Sequence, residues 1–540
     1  MVGEMGRSEA AAMNTLRSKR RAPRPLTNFT MKHIAALIFL VLATASAQKS
    51  SAASQATKKP NVVIVLIDDL GWKDLGCTGS KYYKTPHIDN LSTQGVLFTR
   101  AYSAGPVCSP SRGALFSGQY PARTKMTNVF SPRAVPSDEL KQIGYDMRKE
   151  KGAKTQGPAV RWCLHPDQIT FAEVLQPAGY KTGYLGKWHC GWDASQWPDK
   201  QGFEFAEGYS TTPTLTPGQW GKYFMPPAAA KLEGLTEDEY MSDALTRRAE
   251  DFITAQRQNP FLLVVSHYLV HTPYQTKRDK ELAWRDVPTT DQDNPKMAAM
   301  IESVDESVGR IVASLKKNGV WENTVLIFTS DNGGLNRTTS TYPLLGTKAM
   351  PYEGGYRVPL IVTWPGHIPA GTSDSTPTMN IDLYPTMLDL VGVAPDPQQH
   401  LDGVSLKPIL TQGKSIADRA VYFHFPHYSG VGCVPFSAVR YKGLKLYRFY
   451  EDAREAHQLF DLDIDPYEQH DLAQTKPDEV KRLRTMLDAW LVEIDAPMPI
   501  PNPKYDPNAP PFRDGKHTYE RSNEIRDGYQ KKLEQSKASQ

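Results

Sequence analysis

Three stretches of the chain are apolar without a break: Asn61–Ile67 (NVVIVLI), Phe261–Ser266 (FLLVVS) and Thr324–Ser330 (TVLIFTS). Residues 359–366 (PLIVTWPG) look like a fourth. Unbroken β-branched hydrophobicity predicts strands covered on both faces, as in a parallel sheet. Between them the period changes to that of a helix. Residues 243–257 (DALTRRAEDFITAQR) and 297–318 carry it, the latter with Ile301, Val304, Val308, Ile311, Val312 and Leu315 on one face. Strands alternating with helices predict an α/β sandwich. Beyond about residue 415 the texture changes. Residues 420–425, 437–441 and 444–449 read as short alternating strands and 477–494 as an amphipathic helix, together a small C-terminal α+β subdomain. Residues 498–540, opening with Pro-rich and charged sequence, are expected to wrap the surface or stay disordered. There are no internal repeats.

The polar residues that interrupt this pattern fall at strand ends. Asp68 and Asp69 follow the first run, His267 and His271 the second, Asp331 and Asn332 the third. Open α/β sheets build their sites beyond the carboxyl ends of the strands, so three segments aim at one edge. The four acidic and amide side chains are hard oxygen ligands suited to calcium, or to magnesium in stricter geometry. Each cluster alone has an ordinary alternative, a helix cap for Asp-Asp and a turn for Asp-Asn-Gly-Gly. Cys108-Ser-Pro-Ser-Arg112 precedes GALFSG, which reads as a helix opening with free N–H groups for an anion. A disulfide cysteine is the alternative there. Lys187 and His189, in GYLGKWHCGW, sit two apart on an extended segment and so face one way. His271 and Lys348 are weak signals singly. The weight lies in the constellation of cations, metal ligands and a nucleophile precursor.

Composition narrows the class. Of 540 residues 40% are hydrophobic and 23% charged, and the net charge is only +4, which argues against a general nucleic-acid binder. The apolar run after Met31-Lys32-His33, ending at Ala45-Ser46-Ala47, reads as an export signal cleaved after Ala47, with Met31 as the true start. A long signal n-region or a membrane anchor are the alternatives; the run is short for a stable span. Residues 1–47 are thus a signal peptide and 48–59 a linker, and the protein is expected to be exported, periplasmic or extracellular. Five cysteines fit that compartment. With Cys108 set aside, Cys77, Cys163, Cys190 and Cys433 are expected to form at most one or two disulfides, with three pairings open.

The chain resembles a type I sulfatase of the arylsulfatase class, in the alkaline phosphatase superfamily. The likeness covers most of residues 59–475 and runs through NVVIVLIDDLGW, CSPSRGALFSG, GYLGKWH, SHYLVHTP, FTSDNGG and LFDLDIDPYEQHDLA. Cys-x-Pro-Ser-Arg with Gly-Lys-Trp-His is a highly specific pair. The resemblance implies an α/β alkaline-phosphatase-like sandwich, with a large mostly parallel sheet flanked by helices over residues 60–415 and a small C-terminal α+β subdomain over 416–497. It implies that a sulfatase-maturation enzyme oxidises Cys108 to formylglycine, whose gem-diol is the nucleophile. It also implies one Ca2+ (or Mg2+) held by Asp68, Asp69, Asp331, Asn332 and residue 108. Arg112 would steady the gem-diol, and Lys187 and Lys348 would bind sulfate. His189 would help break down the covalent intermediate, and His271 would protonate the leaving alcohol. The substrate would be a sulfated carbohydrate or an aryl sulfate. The alternatives are a phosphoester or phosphonate hydrolase of the same superfamily, or a non-catalytic binder of sulfated polymer. A basic insertion around residues 126–160, with Arg148, Lys149, Lys151 and Lys154, departs from the family pattern. With His424 and His427 it forms a possible substrate subsite; packing residues and a solvated loop are the alternative.

Overall fold

The computed structural model describes residues 58–129, 151–191, 193–209, 223–224, 232–234, 236, 239–451, 457–510 and 518–538. The signal peptide and most of the linker, and Arg148 and Lys149 of the basic insertion, lie outside them.

Eight strands form the main sheet: β1 (Asn61–Ile67), β2 (Gly95–Phe98), β3 (Lys181–Gly186), β4 (Phe205–Glu207), β5 (Phe261–Ser266), β6 (Thr324–Ser330), β7 (Leu360–Thr363) and β8 (Thr372–Asp374). Their order across the sheet is β8-β2-β7-β6-β1-β5-β3-β4. Strand β1 is parallel to both neighbours, in a register that sets Ile67 beside Ser330 and Leu66 beside Ser266. Strand β3 continues the parallel set, with Gly186 beside Ser266. These strands therefore end along one line, and the residues that follow them, Asp68, Lys187, His267 and Asp331, leave the sheet together. Strand β7 is the exception among the four apolar runs. It pairs antiparallel with both β6 and β2.

Every residue of β1, β5 and β6 is buried, as their unbroken hydrophobicity demands. Val63, Val65 and Ile67 face a core shared with α2 (Met241–Gln256) and α3 (Pro295–Lys317). Val62, Ile64 and Leu66 face the opposite core, which also takes in Leu115 and Phe116 of α1 (Cys108–Ser117) and Leu383, Met387 and Leu388 of α4 (Leu383–Val391). Each such side chain withdrawn from water contributes about 1.5–3 kcal/mol, so the central strands are also the most constrained. The fold is an alkaline-phosphatase-like α/β sandwich, helices on both faces of a mostly parallel sheet, with a C-terminal subdomain.

That subdomain carries the three expected strands, β9 (Val421–Phe425), β10 (Phe436–Tyr441) and β11 (Leu444–Phe449), and a fourth, β12 (His457–Asp461), in an antiparallel meander. Helix α5 (Pro477–Glu493) packs on it through Leu483, Leu487, Trp490 and Leu491. A buried charge cluster joins it to the main unit. Lys445 Nζ donates to Glu353 Oε1 at 2.8 Å, the Tyr102 hydroxyl to Glu353 Oε2 at 2.9 Å, and Glu353 N to Glu468 Oε2 at 2.9 Å. The Tyr447 hydroxyl donates to Glu468 Oε1, and Arg440 lies on Tyr102.

Two expectations are corrected here. The tail is not merely a surface wrap. Ile500–Pro501 pairs with Thr155–Gln156, and α6 (Thr518–Ala538) returns to the main unit with Thr518 and Ser522 buried. The expected disulfides are also not made: Cys77, Cys190 and Cys433 stand as thiols, which leaves no pair among the four. The Cys433 thiol faces Val434 O at 3.1 Å, and burial beside Asp89 pushes the Cys77 thiol up to about 12.

Candidate active site

The loops at the carboxyl edge of the sheet converge on Cys108, the first residue of α1. All ten residues of that helix are buried, and no side chain caps its start. Asn380 fixes the first turn, its Nδ2 donating to Ser111 O and Oγ at 2.9 Å while its Oδ1 accepts from Ala104 N at 3.0 Å. Cys108 Sγ lies 3.2 Å from Asp68 Oδ1 and 3.8 Å from Asp69 Oδ1, and Lys348 Nζ is 3.3 Å from the sulfur. Ligand atoms of Asp68, Asp69, Cys108 and Asp331 all lie within 4.8 Å of one another.

Cations surround the carboxylates. Lys187 Nζ pairs with Asp68 Oδ2 and Lys348 Nζ with Asp69 Oδ1. Arg112, fully buried, donates from Nε to Asp331 Oδ2 at 2.8 Å and from Nη1 to Lys187 O at 2.8 Å and Ser266 Oγ at 2.7 Å. Its Nη2 is buried without a hydrogen-bond partner, 3.7 Å from Asp68 Oδ1. Burial alone would raise the Asp68 carboxyl, but Lys187, His271, Arg112 and Lys348 hold it well below the usual range. Asp331 goes the other way, pushed up to about 6 by burial and by Asp68. Burial would lower Lys187 and Lys348, yet the acidic partners keep both above the ordinary lysine value. The Cys108 thiol is driven well above its usual value by burial, Asp331 and Asp68.

The residues present fit a hard cation. Three buried carboxylates face one point, and Asn332 Oδ1 is a buried acceptor with no hydrogen-bond partner, while its Nδ2 donates to Asp69 Oδ1 at 2.8 Å. The ammonium groups of Lys187 and Lys348 already lie against this oxygen set. The Gly333 that follows has no room for a side chain, since a Cβ there would lie 2.1 Å from Gly354 O.

The two histidines near the carboxylates differ. His189 is half-buried, and desolvation, with Lys187 and Arg112 nearby, holds it well below the usual imidazole value. The expected extended alternation from Lys187 to His189 is broken, because His189 takes a left-handed backbone, φ 60°. Asp69 and Ala349 also sit in that region, each at φ 64°. His271 gives its Nδ1–H to Thr272 O at 2.8 Å, which turns Nε2 toward Asp69 Oδ2 at 3.8 Å. Burial lowers its pKa, against the pull of Asp69 and Asp68. The His271 side chain is 32% exposed and that of Lys348 13%, whereas those of Arg112, Asp68 and Asp331 are at most 1%. The site therefore opens beside His271 and Lys348.

Three other histidines lie elsewhere. His267 follows β5 but turns into the core between Ser242 and Ser307. The proposed subsite pair is corrected. His424 and His427 are buried, the first held by Ser437 Oγ at 2.6 Å and Pro497 O at 2.9 Å, the second by Thr127 Oγ1 at 2.8 Å. With both ring nitrogens of His424 and Nε2 of His427 so engaged, they act as packing residues. Lys151 and Lys154 are exposed, and their backbones bind the tail at Asp506 and Asn502. Conversely, Ser266, Asn380 and the loop 335–339 support the site without having been singled out. Ser266 had a signal, as the polar end of an apolar strand.

A buried cysteine among carboxylates and cations, at the carboxyl edge of such a sheet, makes a pocket suited to an anionic ester. Residues 60–393 match the family model Sulfatase, and residues 345–496 match N-sulphoglucosamine sulphohydrolase, C-terminal. The chain is 29% identical to a sulfatase of Formosa agariphila over 88% of this chain and 96% of that one. It is 31% identical to N-acetylgalactosamine-6-sulfatase of Mus musculus, over 69% of this chain and 70% of that one. The crystal structure of Ps i-CgsB in complex with k-i-k-neocarrahexaose superposes with a TM-score of 0.66 at 29% identity, covering 80% of this chain and 93% of that one. The chain belongs to the sulfatase family, as a type I sulfatase, and its activity is hydrolysis of sulfuric esters. No helix among the described residues is long and apolar enough to cross a membrane.

Proposed function

We propose that this sulfatase acts on a sulfated carbohydrate, using residue 108 as nucleophile after a sulfatase-maturation enzyme has oxidised Cys108 to formylglycine. The observation that carries the reading is the position of Cys108: its sulfur stands between Asp68 and Asp69 with Lys348 Nζ 3.3 Å away. When present, the hydrated aldehyde would supply an oxygen nucleophile, and a divalent ion, calcium or in stricter geometry magnesium, would withdraw charge from the sulfate oxygens. Asp68, Asp69, Asp331 and Asn332 would hold that ion. Lys187, paired with Asp68, and Lys348, paired with Asp69, bind and neutralise the sulfate oxygens beside Cys108. Arg112 anchors Asp331, Lys187 and Ser266 to one another and offers Nη2 to the group at position 108. His271, at the mouth, is placed to give a proton to the departing alcohol oxygen. His189, kept neutral by its surroundings, would take a proton from residue 108 as sulfate is released. The relatives that act on sulfated sugars, among them N-acetylgalactosamine-6-sulfatase, support a saccharide substrate. The signal-like N-terminus supports export to the periplasm or the cell exterior.

The test is Cys108→Ala. Sulfate release from 4-nitrophenyl sulfate should vanish while the thermal midpoint is kept. Peptide mass spectrometry of protein from a host that carries the maturation system should show residue 108 as the aldehyde. Near-normal sulfate release by the alanine variant overturns the reading. Faster turnover of 4-nitrophenyl phosphate than of the sulfate would instead favour a phosphohydrolase.

A further inference from the structure

We propose that Arg337 is a specificity residue that binds a second anionic group, sulfate or carboxylate, on the saccharide whose sulfate ester is cleaved. The inference rests on the saccharide reading above and adds a charge requirement to it.

Arg337 lies on the loop that runs from Asn332 to Lys348, the two ends of which reach the site. The loop is folded back on itself there. Asn336 N donates to Thr347 Oγ1 at 2.8 Å, and Lys348 N donates to Gly334 O at 2.9 Å. Arg337 is thus one residue from a contact with Thr347, the neighbour of Lys348. The chain on both sides of Arg337 is clamped from outside. The hydroxyl of Tyr529, on α6, donates to Asn336 O and, at 2.9 Å, to Thr339 O. The Thr339 hydroxyl is tied in turn to Asp74.

Held this way, the backbone is fixed but the guanidinium is not used. Arg337 is exposed, and among the described residues it has neither an ion-pair partner nor a hydrogen bond. Its charge reaches Tyr274, three residues past His271, which also feels Asp69 and Lys348. An unpaired guanidinium on a braced loop beside an anion-binding mouth is suited to forked hydrogen bonds with an oxyanion. The site proper already supplies cations for one sulfate, Lys187 and Lys348, so a further cation carried on this braced loop is free for a second group.

The experiment compares wild type, Arg337→Gln and Arg337→Lys on 4-nitrophenyl sulfate, a monosulfated hexosamine, its disulfated counterpart, and a sulfated disaccharide bearing a uronate carboxylate. Any saccharide that is not cleaved is assayed as a competitive inhibitor of 4-nitrophenyl sulfate release. Wild type should favour saccharides with a second anion, through KM or the inhibition constant. Arg337→Gln should weaken those by about 10-fold or more, the worth of a charge-assisted hydrogen bond, and leave 4-nitrophenyl sulfate within about two-fold. Arg337→Lys should retain part of the preference. The disulfated and uronate arms tell which anion is read. No preference in wild type, or a preference that survives Arg337→Gln, overturns the proposal and leaves the sulfatase reading intact. Failure of wild type to release sulfate from any of these esters would instead overturn that reading.

Discussion

Glu468 gives the sharpest stability test. It is buried at the junction with the C-terminal subdomain, facing Glu353, Lys445 and Tyr447, with Arg440 and Tyr102 behind Glu353. Burial and the Glu353 charge push its carboxyl from 4.5 up to about 8, whereas Glu353, despite burial, is held at about 2 by Lys445, Arg440 and Arg357. Near neutral pH the pair keeps one proton, on Glu468. An acid whose folded pKa is raised binds its proton more tightly when folded, so stability falls as pH rises from the unfolded value toward the folded one. The window here is pH 4.5 to about 8, and one proton gives a slope of about 1.4 kcal/mol per pH unit. Glu468→Gln keeps the shape and removes the titration. In urea unfolding at pH 5, 7 and 9, the variant should gain on wild type at each step, by a total of several kcal/mol, with no further gain above pH 9. Other groups titrate equally in both proteins and cancel in the difference. A difference that does not change with pH would refute the assignment of the proton to Glu468.

Three further outcomes are expected. Arg112→Lys cannot bridge Asp331, Lys187 O and Ser266 at once, so sulfate release should fall at least about 100-fold and stability by about 3 kcal/mol, read by kinetics and thermal unfolding. Calcium at about 100 times its dissociation constant should stabilise wild type by about 2.7 kcal/mol, a chelator should reverse this, and Asn332→Ala should blunt it in the same thermal assay. Asn380→Ala unties the first turn of α1 and leaves Ala104 N without an acceptor; it should cost about 1–3 kcal/mol and lower kcat more than it raises KM.

Much of this was legible because the signals were redundant. Strands β1, β5 and β6 announce themselves by unbroken apolar sequence, and Asp68 and Asp331 follow them directly, so topology alone brings the oxygen ligands together. What could not be read depended on single residues or on direction. The apolar run at 359–366 says that β7 is buried, not that it runs against its neighbours. Helix α6 carries few apolar residues and docks through Tyr519 and Ile525 together with the hydroxyls of Ser522 and Tyr529, a pattern too sparse to read as a period. His267 and His271 are four apart after one strand, yet only His271 reaches the site, because the intervening loop turns His267 toward α2 and α3. His424 and His427 read as a possible subsite or as packing residues, and only the contacts with β10, Thr127 and the chain at Pro497 decide for packing.

The left-handed backbone at Asp69, His189 and Ala349 has a bearing on how freely this enzyme can drift. Only glycine, and to a lesser degree asparagine or aspartate, adopts such torsions cheaply. A β-branched newcomer at any of the three would distort the main chain before its own chemistry could be tried. Natural variation and laboratory selection alike should therefore find new substrates by altering the rim, and leave these three hinges of the floor almost untouched.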